Sequence, residues 1–426
     1  MILKNVKWFD TSGSLLSGNV VIAGERISEL QVGNFQDYSD REGFDCAGFM
    51  LLPGFIDPHV HFREPGQEYK EGIGNGSAAA VAGGVTTVLD MPNNRPPCDS
   101  REAFFMKRRL FQAGSVVNWG LHILPGDYDF SGYSAVKIFF SAAGASTVIR
   151  SASELCLLFA GFPRFCIHIE DEAFFSEAES IHHLRRPRAA ITGGLKKIDE
   201  ALSLFTRQWP GRKIPQIILL HISTVEELEW LSRKKARGLD IYGETAPHYL
   251  FFTQDEVQSS GALLRVNPPI RTESDRLALC RAVADGLIDF IGSDHAPHVL
   301  PEKQSANPPS GIPGIEFFGP LLLKLWSDGL FSGKRLLEIA CEKAAKCYGI
   351  KGRDGIKVGN YADLVLYEKN GVAVESVITR AGYNPYVALA LPWRVRSVII
   401  NGQLVFENKQ RFCVDAAREV YEQSAL

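Results

Sequence analysis

The chain has 426 residues, 45% of them hydrophobic and 22% charged, the balance of a soluble enzyme with room for one large domain and a smaller one. A formal net charge of −3 gives no basic face for nucleic acid, and no apolar run approaches the roughly 20 residues that span a bilayer. The start, "MILKNVKWFDTSGSLLSG", lacks the pattern of an export signal, and the cysteines at 46, 98, 156, 166, 280, 341, 347 and 413 form no C-x-x-C pair, so reduced, mostly buried thiols and a cytoplasmic setting are expected.

Residues 1–50 read as short strands joined by turns: "MILKNVKWFD", "GNVVIAGERISEL" and "GFDCAGFMLLP". From residue 54 the texture changes. Apolar runs of strand length alternate with helix-length stretches, the pattern of a parallel sheet wrapped by helices. The runs are "GFIDPHVHF" (54–62), "TTVLDMPN" (86–93), "VVNWGLHILP" (116–125), "AVKIFFS" (135–141), "RFCIHIED" (164–171), "QIILLHIS" (216–223), "LDIYGETAPHYL" (239–250) and "LIDFIGSDHAPH" (287–298). "TVEELEWLSRKKA" and "SDRLALCRAVADG" have helical apolar spacing and start signals. The link between the third and fourth runs is short and a poor helix candidate. Strands and helices in this number, over about 250 residues, match a (β/α)8 barrel. Near 355–410 the β texture returns in "GIKVGNYADLVLYE", "VESVITRAGY" and "WRVRSVIINGQLVFEN". The expected architecture is therefore α/β: a TIM-like barrel over 51–350, with a small β-sandwich domain built from residues 1–50 and 351–426.

Active-site residues of such barrels occupy the C-terminal ends of the strands. The first strand ends in His59 and His61, which i, i+2 spacing turns to one side. Two imidazoles there suit a shared metal ion, although a polar strand end in water has the same pattern. Further strand ends supply Lys137, His168, His221 and Asp294. Any one of them is compatible with a satisfied core residue; ligand-type side chains from several strands on one rim point to a metal centre. Lys137 is set among Val136, Ile138, Phe139 and Phe140. Desolvation lowers a lysine pKa, and the neutral amine reacts with carbon dioxide to give a carbamate, an anionic donor able to bridge two metals. A lysine snorkelling from a strand end is the plainer alternative.

These residues carry a resemblance. In "PGFIDPHVHFREPG", "GGVTTVLDMPNNRP", "VNPPIR", "GSDHAPH" and "PPSGIPGIE" the chain resembles the dihydroorotase family of the amidohydrolase superfamily. The resemblance implies two zinc ions per subunit, with manganese or cobalt as substitutes. His59, His61 and Asp294 would hold one, His168 and His221 the other, and a carboxylated Lys137 would bridge them; some branches use an aspartate in its place. It further implies reversible cyclisation of N-carbamoyl-L-aspartate to dihydroorotate in pyrimidine biosynthesis. A hydroxide held between the metals would attack the ring amide, with Asp294 shuttling the proton. Arg63, Asn93 and His298 match the family's contacts to the substrate carboxylate, and Asn267 falls at a substrate-lining position. A homodimer, with aspartate carbamoyltransferase as a candidate partner, belongs to the same implication; nucleic acid and membrane do not.

For Arg63 a salt bridge with Glu64 or Glu68 is the simpler alternative, and for Asn93 a turn before "RPP". His182 and His183 read as solvated loop residues, His122 as filling of the barrel interior, and Glu244 as a weak candidate for an extra metal. No function is assigned to His248. "EGIGNGSAAA" reads as a loop entering a helix, and the Gly/Pro-rich "HVLPEKQSANPPSGIPG" is placed to fold over the site. The rival functions are another cyclic amidase, for hydantoins, dihydropyrimidines or allantoin, and a non-catalytic scaffold that has lost its metal.

Overall fold

The computed structural model describes residues 1–33, 42–142, 147–369, 377–408, 410–411 and 415–421. Cys413 and the front of "VESVITRAGY" lie outside them. The strands of the two chain ends hydrogen-bond into one nine-stranded, largely antiparallel sheet. Its seam joins Met50–Pro53 from the N-terminal part to Leu364–Lys369 from the C-terminal part. The alternation of side chains along these strands gives the sheet a hydrophobic core of its own, which includes Leu3, Val6, Trp8, Val20, Leu51, Leu364 and Ile399.

Between these ends lies the barrel. Phe55–Val60, Val85–Asp90 and Asn118–Leu121 pair in parallel. So do Val136–Phe139, Arg164–His168, Gln216–Leu219, Ile241–Thr245 and Phe290–Ile291. Isolated parallel bridges, Ile123 with Val136 and Val60 with His295, close these two sheets into a ring. The strands are buried on both faces and correspondingly apolar, as parallel strands covered by helices must be. Helices Ile73–Ala82, Arg101–Gly114, Ala152–Gly161, Arg188–Gln208, Val225–Ala236 and Glu273–Ala284 lie between them. Local signals set their starts: Ser151 and Glu154 form a capping box, and Glu227 accepts the Thr224 backbone N–H at 2.9 Å. Among the described residues no helix joins the third and fourth strands.

Three expectations of regular structure are corrected. The seventh run stops being a strand at Thr245, because Pro247 pre-sets φ for the short helix Pro247–Phe251. The eighth strand is reduced to Phe290–Ile291, after which the backbone turns and Asp294 takes a left-handed φ of 47°. The described part of "VESVITRAGY" forms no strand; the N–H groups of Ile378 and Thr379 donate instead to Glu316, at 2.8 and 3.1 Å.

Candidate metal centre and substrate pocket

The barrel closes so that its first and eighth strands are neighbours, which brings His59 and His61 to Asp294. His59 Nε2 is 3.2 Å and His61 Nε2 3.6 Å from Asp294 Oδ1. The three ligand atoms lie within 4.8 Å of one another, and all three residues are buried. Each imidazole is held from behind. His59 Nδ1 meets Glu244 Oε1 at 2.6 Å, and His61 Nδ1 meets Asn93 Oδ1 at 2.8 Å. Asn93 Oδ1 accepts, as does Glu244 when ionised, and this favours the proton on each Nδ1 with the Nε2 lone pairs toward Asp294, the arrangement of a carboxylate- or amide-supported metal ligand. Glu244, a candidate for an extra metal in the sequence, thus orients His59. Gly292 makes room for this: a Cβ there would stand 2.9 Å from Glu244 Cδ and from His59 Cβ.

The other half of the cluster comes from the fifth and sixth strands. His168 Nδ1 faces His221 Nε2 at 2.9 Å, and the His59 and His221 ring centres are 5.5 Å apart. His168 Nε2 lies 3.2 Å from Glu170 Oε2, and the Arg186 guanidinium grips the same carboxylate at 2.7 and 3.1 Å. Burial alone would raise Glu170, but Arg186 and His168 hold it well below the usual carboxylate range. It is therefore an anion at neutral pH that favours a proton on His168 Nε2 and a lone pair on Nδ1. Burial lowers the pKa of all four histidines, aided by neighbouring cations and imidazoles at His59, His61 and His221 and opposed by Glu170 at His168, and their neutral forms are the ones able to ligate.

Lys137 lies on the same rim at 1% exposure, its Nζ 4.9 Å above the Phe139 ring. Among the described residues no carboxylate forms an ion pair with it. Burial draws its pKa down to about 8, against the opposing pull of Cys166, Asp294 and Glu244. Asp294 moves the other way: burial pushes it up to about 7, while Lys137 and Arg63 pull it down. The backbone is strained here, with positive φ at Arg63 (64°), His221 (38°) and Asp294 (47°), as at sites where packing dictates side-chain direction.

These groups line a cavity of about 630 Å³ together with Arg63, Lys70, Asn93, Asn267, His298 and the loop Pro309–Gly311. Arg63 is not tied to its acidic neighbours. Glu64 accepts the Ile73 N–H and Glu68 the Gly66 N–H, both at 2.7 Å. Arg63 Nε and Asn267 Oδ1 are buried without a hydrogen-bond partner among the described residues. The Gly/Pro-rich segment after the eighth strand does border the cavity, held by the Lys303 ammonium, which donates to the carbonyls of Arg265, Pro309 and Gly311 at 3.2, 3.0 and 2.9 Å.

His182, read as solvated, is instead half-buried, with its Nε2 2.8 Å from the Val266 carbonyl, next to Asn267. His122 fills the interior as expected, its Nε2 3.1 Å from Pro58 O. His248 is buried, and neither ring nitrogen has a partner among the described residues. The sequence reading missed Lys70, Glu170 and Arg186; "HIED" held a signal, since Glu170 lies i+2 from His168 on the same side of a strand. Behind His61, the buried Asp90 pairs with Lys107 Nζ at 2.6 Å, and Lys107 also donates to Met91 O and Asn94 Oδ1. Lys107→Met strands the Asp90 charge and is expected to cost about 3–5 kcal/mol of stability, read by urea unfolding.

Residues 50–138 and 165–405 match the amidohydrolase family. The chain belongs to that family. It is 31% identical over 420 residues to a dihydroorotase of Wolbachia sp. subsp. Brugia malayi, covering 94% of this chain and 93% of that one. It is 32% identical over 433 residues to a dihydroorotase of Aquifex aeolicus, covering 96% and 99%. An L-hydantoinase (dihydropyrimidinase) from Arthrobacter aurescens shares the fold, with a TM-score of 0.86, 22% identity and 99% of each chain covered.

Proposed function

We propose that this amidohydrolase is a dihydroorotase, cyclising N-carbamoyl-L-aspartate reversibly to dihydroorotate in the cytoplasm. His59, His61 and Asp294 fit one metal ion and His168 and His221 a second, with a carboxylated Lys137 between them. The support is that at His59, His61 and His168 one ring nitrogen faces an acceptor, which leaves the other free to present a lone pair to the centre. Nitrogen and oxygen donors of this kind suit zinc. When bound, the metals would lower the pKa of a water and polarise the amide carbonyl. Asp294 takes the proton released in attack at its carboxylate and returns it to the departing ring nitrogen. A homodimer and an association with aspartate carbamoyltransferase extend the same proposal.

One observation carries the choice of substrate: the Arg63 guanidinium lines the cavity with no carboxylate partner among the described residues, beside His298 and Asn267. Its planar fork suits the carboxylate that dihydroorotate retains and that hydantoin and allantoin lack. The test is turnover of dihydroorotate against those two rings. Dihydroorotate should be strongly preferred, and Arg63→Met should raise its KM by roughly 10–100-fold through loss of a charge-assisted pair. Faster turnover of hydantoin or allantoin would assign the protein to another cyclic amidase. A chain that takes up no zinc would be the scaffold.

A further inference from the structure

The loop after the first barrel strand and the segment after the eighth meet at the cavity mouth through a cluster that joins Arg63 and His298 to Lys70, Tyr69 and Glu302, three residues given no part in the reaction above. His298 lies at its centre. Its Nδ1 is 2.9 Å from Glu302 Oε2 and 3.1 Å from Lys70 Nζ, and its Nε2 is 3.4 Å from Arg63 Nη2. Lys70 and Glu302 approach each other at 3.3 Å, and the Tyr69 hydroxyl donates to Glu302 Oε1 at 2.9 Å. Lys70 and His298 are both buried and both line the cavity.

The two partners of Nδ1 ask for opposite tautomers. Glu302 only accepts, so it draws the proton onto Nδ1 and leaves a lone pair on Nε2, which can receive the Arg63 N–H. An ammonium only donates, so Lys70 needs the lone pair on Nδ1 and sends the proton to Nε2. A carboxylate has no proton to give, so an Nε2 lone pair would repel it. With the proton on Nε2, His298 and Arg63 become two donors side by side, and Arg63 Nε, which has no partner among the described residues, adds a third. Burial, then Arg63 and Lys70, lower His298 to about 3, so it is neutral and has one ring proton to place.

We infer that Lys70 is a positioning residue that sets the tautomer of His298: when a ring carboxylate enters, Lys70 donates to Nδ1 and His298 presents Nε2–H beside Arg63. Glu302, steadied by Tyr69, holds the Lys70 ammonium in reach and stabilises the alternative tautomer of the empty pocket. Lys70 thereby contributes to carboxylate selection without touching the substrate. The inference rests on the dihydroorotase reading of the pocket.

The test uses the full-length, zinc-loaded protein and orotate, a flat ring with the same carboxylate that ring opening does not consume. Side-chain ¹⁵N shifts, with His298 assigned by the signals lost in His298→Asn, should report the Nε2–H tautomer in the orotate complex. Lys70→Met should weaken orotate binding by about tenfold or more, the effect of losing a charge-assisted donor, and Lys70→Arg should restore most of it. Metal content and melting temperature of the variants separate this from misfolding, and the tautomer of the wild-type complex is read without any Lys70 variant. An Nδ1–H tautomer in that complex, or unchanged binding by a folded Lys70→Met, overturns the inference alone. No binding of orotate by the wild type overturns the dihydroorotase reading and this inference with it.

Discussion

Asp294→Asn is expected to lower kcat by about 10²–10⁴-fold, the span over which a positioned acid–base group contributes. Asparagine keeps the shape and one carbonyl oxygen, so the left-handed turn at this position and the packing against His59 and His61 have no reason to change. What disappears is the negative charge and the ability to receive a proton. Burial pushes the native carboxyl up to about 7, against the pull of Lys137 and Arg63. Loss of metal would also lower the rate, so zinc per chain by atomic emission must accompany the kinetics. The decisive comparison is made at full zinc content. There kcat/KM should fall by the same factor for ring opening and ring closure, because the equilibrium constant does not belong to the enzyme. A zinc-loaded variant with near-native turnover would remove Asp294 from proton transfer.

Much of this site was legible because barrel geometry turns a linear pattern into a ring. Once the apolar runs were read as parallel strands, their C-terminal ends had to share a rim, and His59, His61, Lys137, His168, His221 and Asp294 line one cavity. Their supports were less legible. Glu244 stands 185 residues from His59, and its contact exists only because the seventh strand lies near the first in the closed barrel. Lys70 and Glu302 have the look of surface charges in loops. The burial of Lys70 and its meeting with the half-buried Glu302 follow from the closure that sets strand one against strand eight, which no local spacing encodes. His182 failed for the same reason: polar neighbours suggested a solvated loop, while the residue opens the short helix His182–Arg185 and its ring reaches Val266 O. The short helix Pro247–Phe251 was hidden by the apolar run "HYLF", whose composition suits strand and helix alike; its proline was the available cue.

Lys137→Met should yield a folded protein that has lost most of its activity and part of its metal. The native side chain is buried on the cavity rim beside Phe139 and the histidine cluster, has no ion-pair partner among the described residues, and has its pKa drawn down to about 8 by burial. Holding an ammonium there is unfavourable; methionine has a similar length and no charge, so melting temperature should hold or rise. A neutral amine in that place can add carbon dioxide and become an anion, which the surrounding neutral imidazoles do not supply. Zinc per chain should then fall from about two toward one, and kcat by roughly a hundredfold or more, as preorganised electrostatic stabilisation is lost. Preparing the native protein free of carbon dioxide should mimic the metal loss, and bicarbonate should reverse it; the variant should not respond to bicarbonate. If Lys137→Met retained both zinc and turnover, the lysine would be no more than a buried strand-end residue, and Asp294 with the four histidines would have to hold the metals unaided.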